Sequence, residues 1–426
     1  MHTKFISRSL SSISLSVALA MSVTPAAHAE DLALQVTKAG TTNPNQVAIV
    51  PFLGNQTLSD LTLTHLNNTE LKSSDNNLPN HPQNAEDVIN NIHAWRNTGY
   101  RYVVIGSSHT ILGDKTATNF DIVDLGAAKL IGARQTHIFG TSSQELQAAA
   151  VAISNKIYAA ITGTTNDLVG KIAYVEETGK ANQKTSTLKV MDVATQNVKN
   201  IENVNGSILT PAFSPDGTKL AYTILRQDEL PLIYIQELSS DQKTLVTPFK
   251  GSNLSPAFSA DGNALLFSGS HDNNNPNIYR LDLLANRLST ITQLDGVENS
   301  PSYLPNGQII FTADNGTRSQ TIYRLNNNTP IRITAGSSPR VSHDGTRLAY
   351  TQGSNLIVAN VNGTNPKTIA KIGTEGMASF SPNGTSIVYS THIGNDSKLI
   401  IKQLNTGREI ILPTTGIIKD PTWSAR

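Results

Sequence analysis

The strongest constraint on this chain is a short pattern that returns along its second half. Pro211-Ala-Phe-Ser-Pro-Asp-Gly217 runs directly into Leu220-Ala-Tyr-Thr223. This reads as a strand, a tight turn and a second strand: Pro fixes φ, Asp bonds to nearby backbone, and Gly takes the positive-φ position. Pro256-Ala-Phe-Ser-Ala-Asp-Gly262, Pro301-Ser-Tyr-Leu-Pro-Asn-Gly307, Pro339-Arg-Val-Ser-His-Asp-Gly345 and Ala378-Ser-Phe-Ser-Pro-Asn-Gly384 repeat it, each followed by an apolar strand. The starts at 211, 256, 301, 339 and 378 give a period of about 40–45 residues, which for strand-rich units means propeller blades. A third and a fourth apolar run follow within the repeats, such as Ile233-Tyr-Ile-Gln236 and Leu245-Val-Thr247.

Two half-repeats complete the ring. Ile172-Ala-Tyr-Val175 matches a second strand without a first, and Pro421-Thr-Trp-Ser424 matches a first strand without a second. Joined, they form a sixth blade made from both ends of the domain, which removes the open edges that would template aggregation.

Ahead of the repeats, Gln46–Phe52, Tyr100–Gly106, Asn119–Asp124 and Gln135–Phe139 read as strands, while Leu58–Leu71, 84–97 and Ser143–Ile161 carry helical periodicity. Residues 73–84 read as a loop. The expected fold is an α/β N-terminal domain followed by an all-β six-bladed β-propeller. Residues 1–29 read as a signal peptide with an Ala27-His-Ala29 cleavage site, 30–162 as the α/β domain, 163–170 as a linker and 171–426 as the propeller.

Composition narrows the function. There are no cysteines, so disulfides, a catalytic thiol and a lipid-modified cysteine are excluded. Charge is nearly balanced, 33 basic against 32 acidic residues, without a basic run that would mark a nucleic-acid surface. No further stretch has the length and apolarity of a membrane span, so the mature chain is expected to be a periplasmic monomer without membrane insertion.

Catalytic motifs are missing as well: no G-x-S-x-G, P-loop, G-x-G-x-x-G or H-E-x-x-H. His271, His343 and His392 fall on different ends or sides of the ring and do not predict a metal site. Loop 271–277 is rich in oxygen donors yet lacks the spacing of an EF-hand. Asp216, Asp261, Asn306, Asp344 and Asn383 are expected to shape turns, and Phe213, Phe258, Tyr303 and Phe380 to pack blades. Neither a catalytic residue nor a cofactor is expected.

The order of these features carries a resemblance. An Ile-Val-Pro-Phe strand, Trp95 and Gly99 before Val-Val-Ile-Gly106, a Lys156-Ile-Tyr helix ending at Thr162-Gly163, and Lys171-Ile-Ala-Tyr174 leading into the repeats resemble the TolB family of Tol-Pal propellers over essentially the whole mature chain. The resemblance implies a non-enzymatic periplasmic adaptor that links the Pal lipoprotein to the inner-membrane TolA–TolQ–TolR complex, supporting outer-membrane invagination in cell division and envelope integrity. It implies that TolA binds the first mature residues, here Glu30, Asp31, Leu32, Ala33, Leu34, Gln35 and Val36. It places Pal on the propeller mouth, at loops leading into first strands: Ser252, Asn253, Leu254 and Ser255; Val297, Glu298, Asn299 and Ser300; and Ser337 and Ser338. The chain departs from the family pattern at Ser300, where an acidic residue is usual, and at Ser252, where a histidine is. The competing classes are a periplasmic propeller enzyme, a lyase or lactonase with the channel as active site, and a propeller that binds cell-wall glycans.

Overall fold

A computed structural model describes residues 44–164, 166, 168–179, 184–271, 275–314, 316–317, 319–373, 376–393 and 396–425. The expected signal segment 1–29 and the expected arm Glu30–Val36 lie outside the described residues. Those described belong to one compact unit, Thr41–Arg426.

The first layer is built on a mixed sheet. Its elements are β1 (Gln46–Ile49), α1 (Gln56–Asn67), β2 (Lys72–Ser74), α2 (Ala85–Asn90), α3 (Ile92–Arg96), β3 (Tyr102–Ile111), β4 (Lys115–Asp124), β5 (Lys129–Leu130), β6 (Gln135–Gly140) and α4 (Ser143–Thr162). The strand order is β2-β1-β3-β4-β5, with β6 also on β4. Alternation along β1 splits the core between the two faces: Val47 and Ile49 pack with Leu58, Leu66, Ile153 and Ile157 of α1 and α4, whereas Ala48 and Val50 pack with Val88 and Trp95.

Local chemistry sets the helix ends. Ser142 and Glu145 form a reciprocal capping box on α4, and Gly163, at φ +74°, ends it in the left-handed conformation. The side chain of Asn55 caps α1 by accepting from Leu58 N at 3.0 Å.

Three expectations need correction here. Helix α1 stops at Asn67 rather than running to Leu71, because the Asn67 amide takes both backbone groups of Ser73 (Nδ2 to Ser73 O 3.0 Å, Ser73 N to Oδ1 2.8 Å). That bond pair helps to seat Lys72–Ser74 as a parallel strand on β1, overlapping the start of the expected loop. The helix expected over 84–97 is interrupted at Asn91, leaving α2 and α3.

Six four-stranded antiparallel sheets follow. Their innermost, first strands are Ile417–Trp423 (blade 1), Ser207–Phe213 (blade 2), Asn253–Phe258 (blade 3), Glu298–Tyr303 (blade 4), Ser337–Val341 (blade 5) and Ala378–Phe380 (blade 6). Blade 1 is closed as the half-repeats require: Ile417–Trp423 pairs antiparallel with Lys171–Thr178, with Trp423 opposite Ile172. Its fourth strand, Val198–Asn205, was not foreseen, because its polar sequence Val-Lys-Asn-Ile-Glu-Asn-Val-Asn hides the strand period. The closure is fastened by exchanged bonds between Lys171 and Ser424 (both 2.8 Å) and by the Trp423 indole donating to Val169 O at 2.8 Å.

Each second strand contributes one aromatic at the same register. Tyr174, Tyr222, Phe267, Phe311, Tyr350 and Tyr389 are all buried, filling the wedges within and between blades. Burial of a ring this size stabilises by about 1.5–3 kcal/mol, so six of them are a large part of what holds the ring closed.

Candidate functional site

The channel is walled by the first strands, and the repeat decides its geometry. In five of them the residue before the motif proline has a left-handed backbone: Thr210 (φ 48°), Ser255 (56°), Ser300 (50°), Ser338 (53°) and Asp420 (47°). Each sits at a register shift against its second strand. Proline disfavours the right-handed helical basin for the residue before it, and these bulge residues take the left-handed one, at about 1–2 kcal/mol each. Blade 6 has Ala378 in place of the proline, and its first strand pairs without a shift.

The mouth end of this ring holds the residues singled out from the sequence. Blades 3, 4 and 5 are neighbours, so the three segments share one rim. Val297 is exposed, while Ser252, Leu254, Ser255, Asn299, Ser337 and Ser338 are half-buried. Asn253, Glu298 and Ser300 are buried. Asn253 donates to the carbonyls of Pro231, Phe249 and Gly251 at 3.2–3.4 Å. Glu298 accepts from Thr292 Oγ1 at 2.5 Å and from Leu294 N at 2.9 Å, and burial pushes its carboxyl above the ordinary value. These two side chains face inward and fix the shape of the rim; they are not free to reach a partner. Ser252 and Val297 lie ahead of the strands, whereas Asn253–Ser255, Glu298–Ser300 and Ser337–Ser338 are the first residues of strands rather than loops.

The remaining sequence candidates sort by place. The Asp and Asn residues of the turns perform the expected job: Asp216 accepts from Ser214 Oγ (2.5 Å), Thr218 N (3.1 Å) and Thr218 Oγ1 (2.8 Å). His271 packs edge-on to Phe249, Phe267 and Tyr279, with Nδ1 2.8 Å from Lys250 O. His343 stands at the turn end of the channel, and burial lowers its pKa. The side chain of His392 and residues 272–274 of the oxygen-rich loop lie outside the described residues. Among the described residues no three His, Asp or Glu side chains gather as a metal site. Phe380 is core, but Phe213, Phe258 and Tyr303 depart from expectation: they pack on their blades and also border a channel cavity.

Sequence reasoning missed Arg340. It follows the motif proline, a place held by Ala212, Ala257, Ser302, Ser379 and Thr422 in the other blades. The aligned repeats carry that signal: one long cation among five small residues.

Residues 158–426 match the family described as the TolB beta propeller domain. The chain belongs to the TolB family. The Tol-Pal system protein TolB of Acinetobacter baylyi is 30% identical over 240 residues, 56% of this chain and 54% of that relative. The TolB of Methylococcus capsulatus is 30% identical over 208 residues, 47% of each. The chain thus spans about half the length of these curated TolB relatives. The crystal structure of TolB from Acinetobacter baumannii superposes with a TM-score of 0.78 at 28% identity, covering 91% of this chain and 98% of that one. The TolB likeness therefore includes the α/β layer, which lies ahead of the matched propeller region.

Proposed function

We propose that the chain is a non-enzymatic periplasmic adaptor of the Tol-Pal system, linking the Pal lipoprotein to TolA and its inner-membrane partners and so supporting envelope integrity and outer-membrane invagination in division. The observation that carries this reading is the similarity in structure to a TolB along nearly its whole length. In this reading residues 1–29 are removed, 30–162 form the N-terminal domain, and 171–426 form the propeller with 163–170 as linker. Pal docks on the rim of blades 3–5, where Val297 and the half-buried Ser252, Leu254, Ser255, Asn299, Ser337 and Ser338 offer contact surface over a base fixed by Asn253, Glu298 and Ser300. Glu30–Val36 supplies the TolA segment.

The geometry supports docking better than catalysis. A rigid ring of strand starts is a wide, mostly polar platform, suited to a folded partner. No helix of the described residues is long and apolar enough to cross a membrane.

Capture from envelope extract tests the reading. Residues 30–426 as bait should recover both a peptidoglycan-associated lipoprotein and a TolA-like protein, and residues 37–426 the lipoprotein alone. Recovery of neither by the folded bait overturns it. Coupling between arm and mouth of about 1–3 kcal/mol predicts that deleting 30–36 changes lipoprotein affinity roughly 5–150-fold; unchanged affinity removes the coupling.

A further inference from the structure

The turn end of the channel encloses a cavity of about 360 Å³, within the 300–1,000 Å³ or so usual for small-molecule sites. Its lining contains none of the rim residues assigned to a partner, although Pro256 and Pro301 directly follow Ser255 and Ser300. Its wall is laid down by the repeat: motif prolines, the Phe213 and Phe258 rings, and five small residues that leave the space open. Into this space the sixth position contributes Arg340.

Arg340 is half-buried among the blades and keeps surface toward the channel. Nη1 donates to Pro339 O at 3.0 Å, and Nη2 lies 3.6 Å from Met377 Sδ, a weak acceptor. Among the described residues no carboxylate stands within 4.0 Å of it. Asp420 acts on it only at longer range, and that carboxylate is already engaged by Thr210 N at 2.9 Å. A half-buried guanidinium without a close counter-charge is left with donors to satisfy, and its planar donors suit a carboxylate in charge-assisted contact. Proline and phenylalanine rings around it suit a flat apolar body.

We propose that this cavity binds a small organic anion, a carboxylate on a compact apolar or aromatic body, with Arg340 holding the carboxylate and the ring of proline and aromatic side chains holding the body. The proposal does not rest on partner docking at the mouth, and its test does not use a partner.

Calorimetric titration of the full mature chain with 3-phenylpropionate, 3-phenylpropanol and inorganic phosphate decides the matter. Trp423, in the cavity wall, gives a fluorescence readout, and Trp95, buried in the α/β layer, should stay constant. Phenylpropionate should bind saturably, with a Trp423 response, at least tenfold tighter than the alcohol or phosphate. Arg340→Met should weaken it at least tenfold while leaving the alcohol unchanged. No saturable binding, equal affinity for the alcohol, or phosphate binding as tightly as phenylpropionate overturns the proposal. Should the Arg340→Met protein not fold, the three-probe comparison on the wild type still decides.

Discussion

At Asp216 one carboxylate closes a turn by three contacts, and its titration reports that job. The Ser214 hydroxyl, first, and then the Thr218 amide pull its carboxyl down to about 2 from an ordinary 3.8. A depressed folded pKa means the contribution is complete above the unfolded value and is lost as pH falls through about 4 toward 2. Asp216→Ala should destabilise by about 1 kcal/mol at pH 7, and the gap to wild type should shrink at pH 2.5, as read by urea unfolding at both pH values. Asp216→Asn should lose less, because Asn306 and Asn383 already accept from the backbone two residues on at 3.0–3.1 Å in their own turns. An Asn variant as weak as the Ala variant would show that charge, not the acceptor, closes the turn.

At the scale of elements, Arg408 ties the propeller to the α/β layer. Arg408, in the turn before the last strand of blade 6, donates to the carbonyls of Asn67 (2.8 Å) and Thr69, which are left over at the end of α1. Those carbonyls need donors because the helix stops there. Arg408→Ala should cost about 1.5–3 kcal/mol, the usual range for hydrogen bonds to a charged group. Hydrogen exchange should quicken at residues 66–74 and leave the blades as they were; uniform quickening would mean the contact stabilises the whole ring instead. The break at Asn91 and the strand at Lys72 were not legible in the sequence for a related reason. Periodicity reports which face is apolar, whereas a helix end set by an Asn67–Ser73 bond depends on two segments meeting.

For the whole molecule, closure of the ring is the controlling fact. Blade 1 borrows Ile417–Trp423 from the far end of the chain, so the 250 residues 173–422 separate Ile172 from its partner Trp423. Truncation after residue 416 removes that strand and leaves Lys171–Thr178 as an open edge whose side chains are largely buried in the intact ring. The truncated chain should lose its cooperative thermal transition and aggregate, as read by near-ultraviolet dichroism and light scattering. A truncated protein that stays monomeric with a sharp transition would show that five blades suffice. Within a blade, Phe311→Ala should cost about 3–5 kcal/mol, observed as a lower urea midpoint with an unchanged slope.

The sequence by itself determined the number of blades, the place of each turn, the strand that closes the ring and the family to which the chain belongs, because each of these is local chemistry repeated at a fixed period. Proline, aspartate and glycine act on their own backbone, and the period of two in a strand is written in consecutive residues. Tertiary structure alone decided which rim residues are free. Asn253 and Glu298 sit at the same register in adjacent blades and read as surface, but segments arriving from the preceding blade bring donors and acceptors that turn both inward. The odd cation among the repeats was visible at Arg340, but its meaning was not. Only six first strands set in a circle create the cavity that it faces, since the space between side chains depends on distances across the ring and no stretch of sequence contains them.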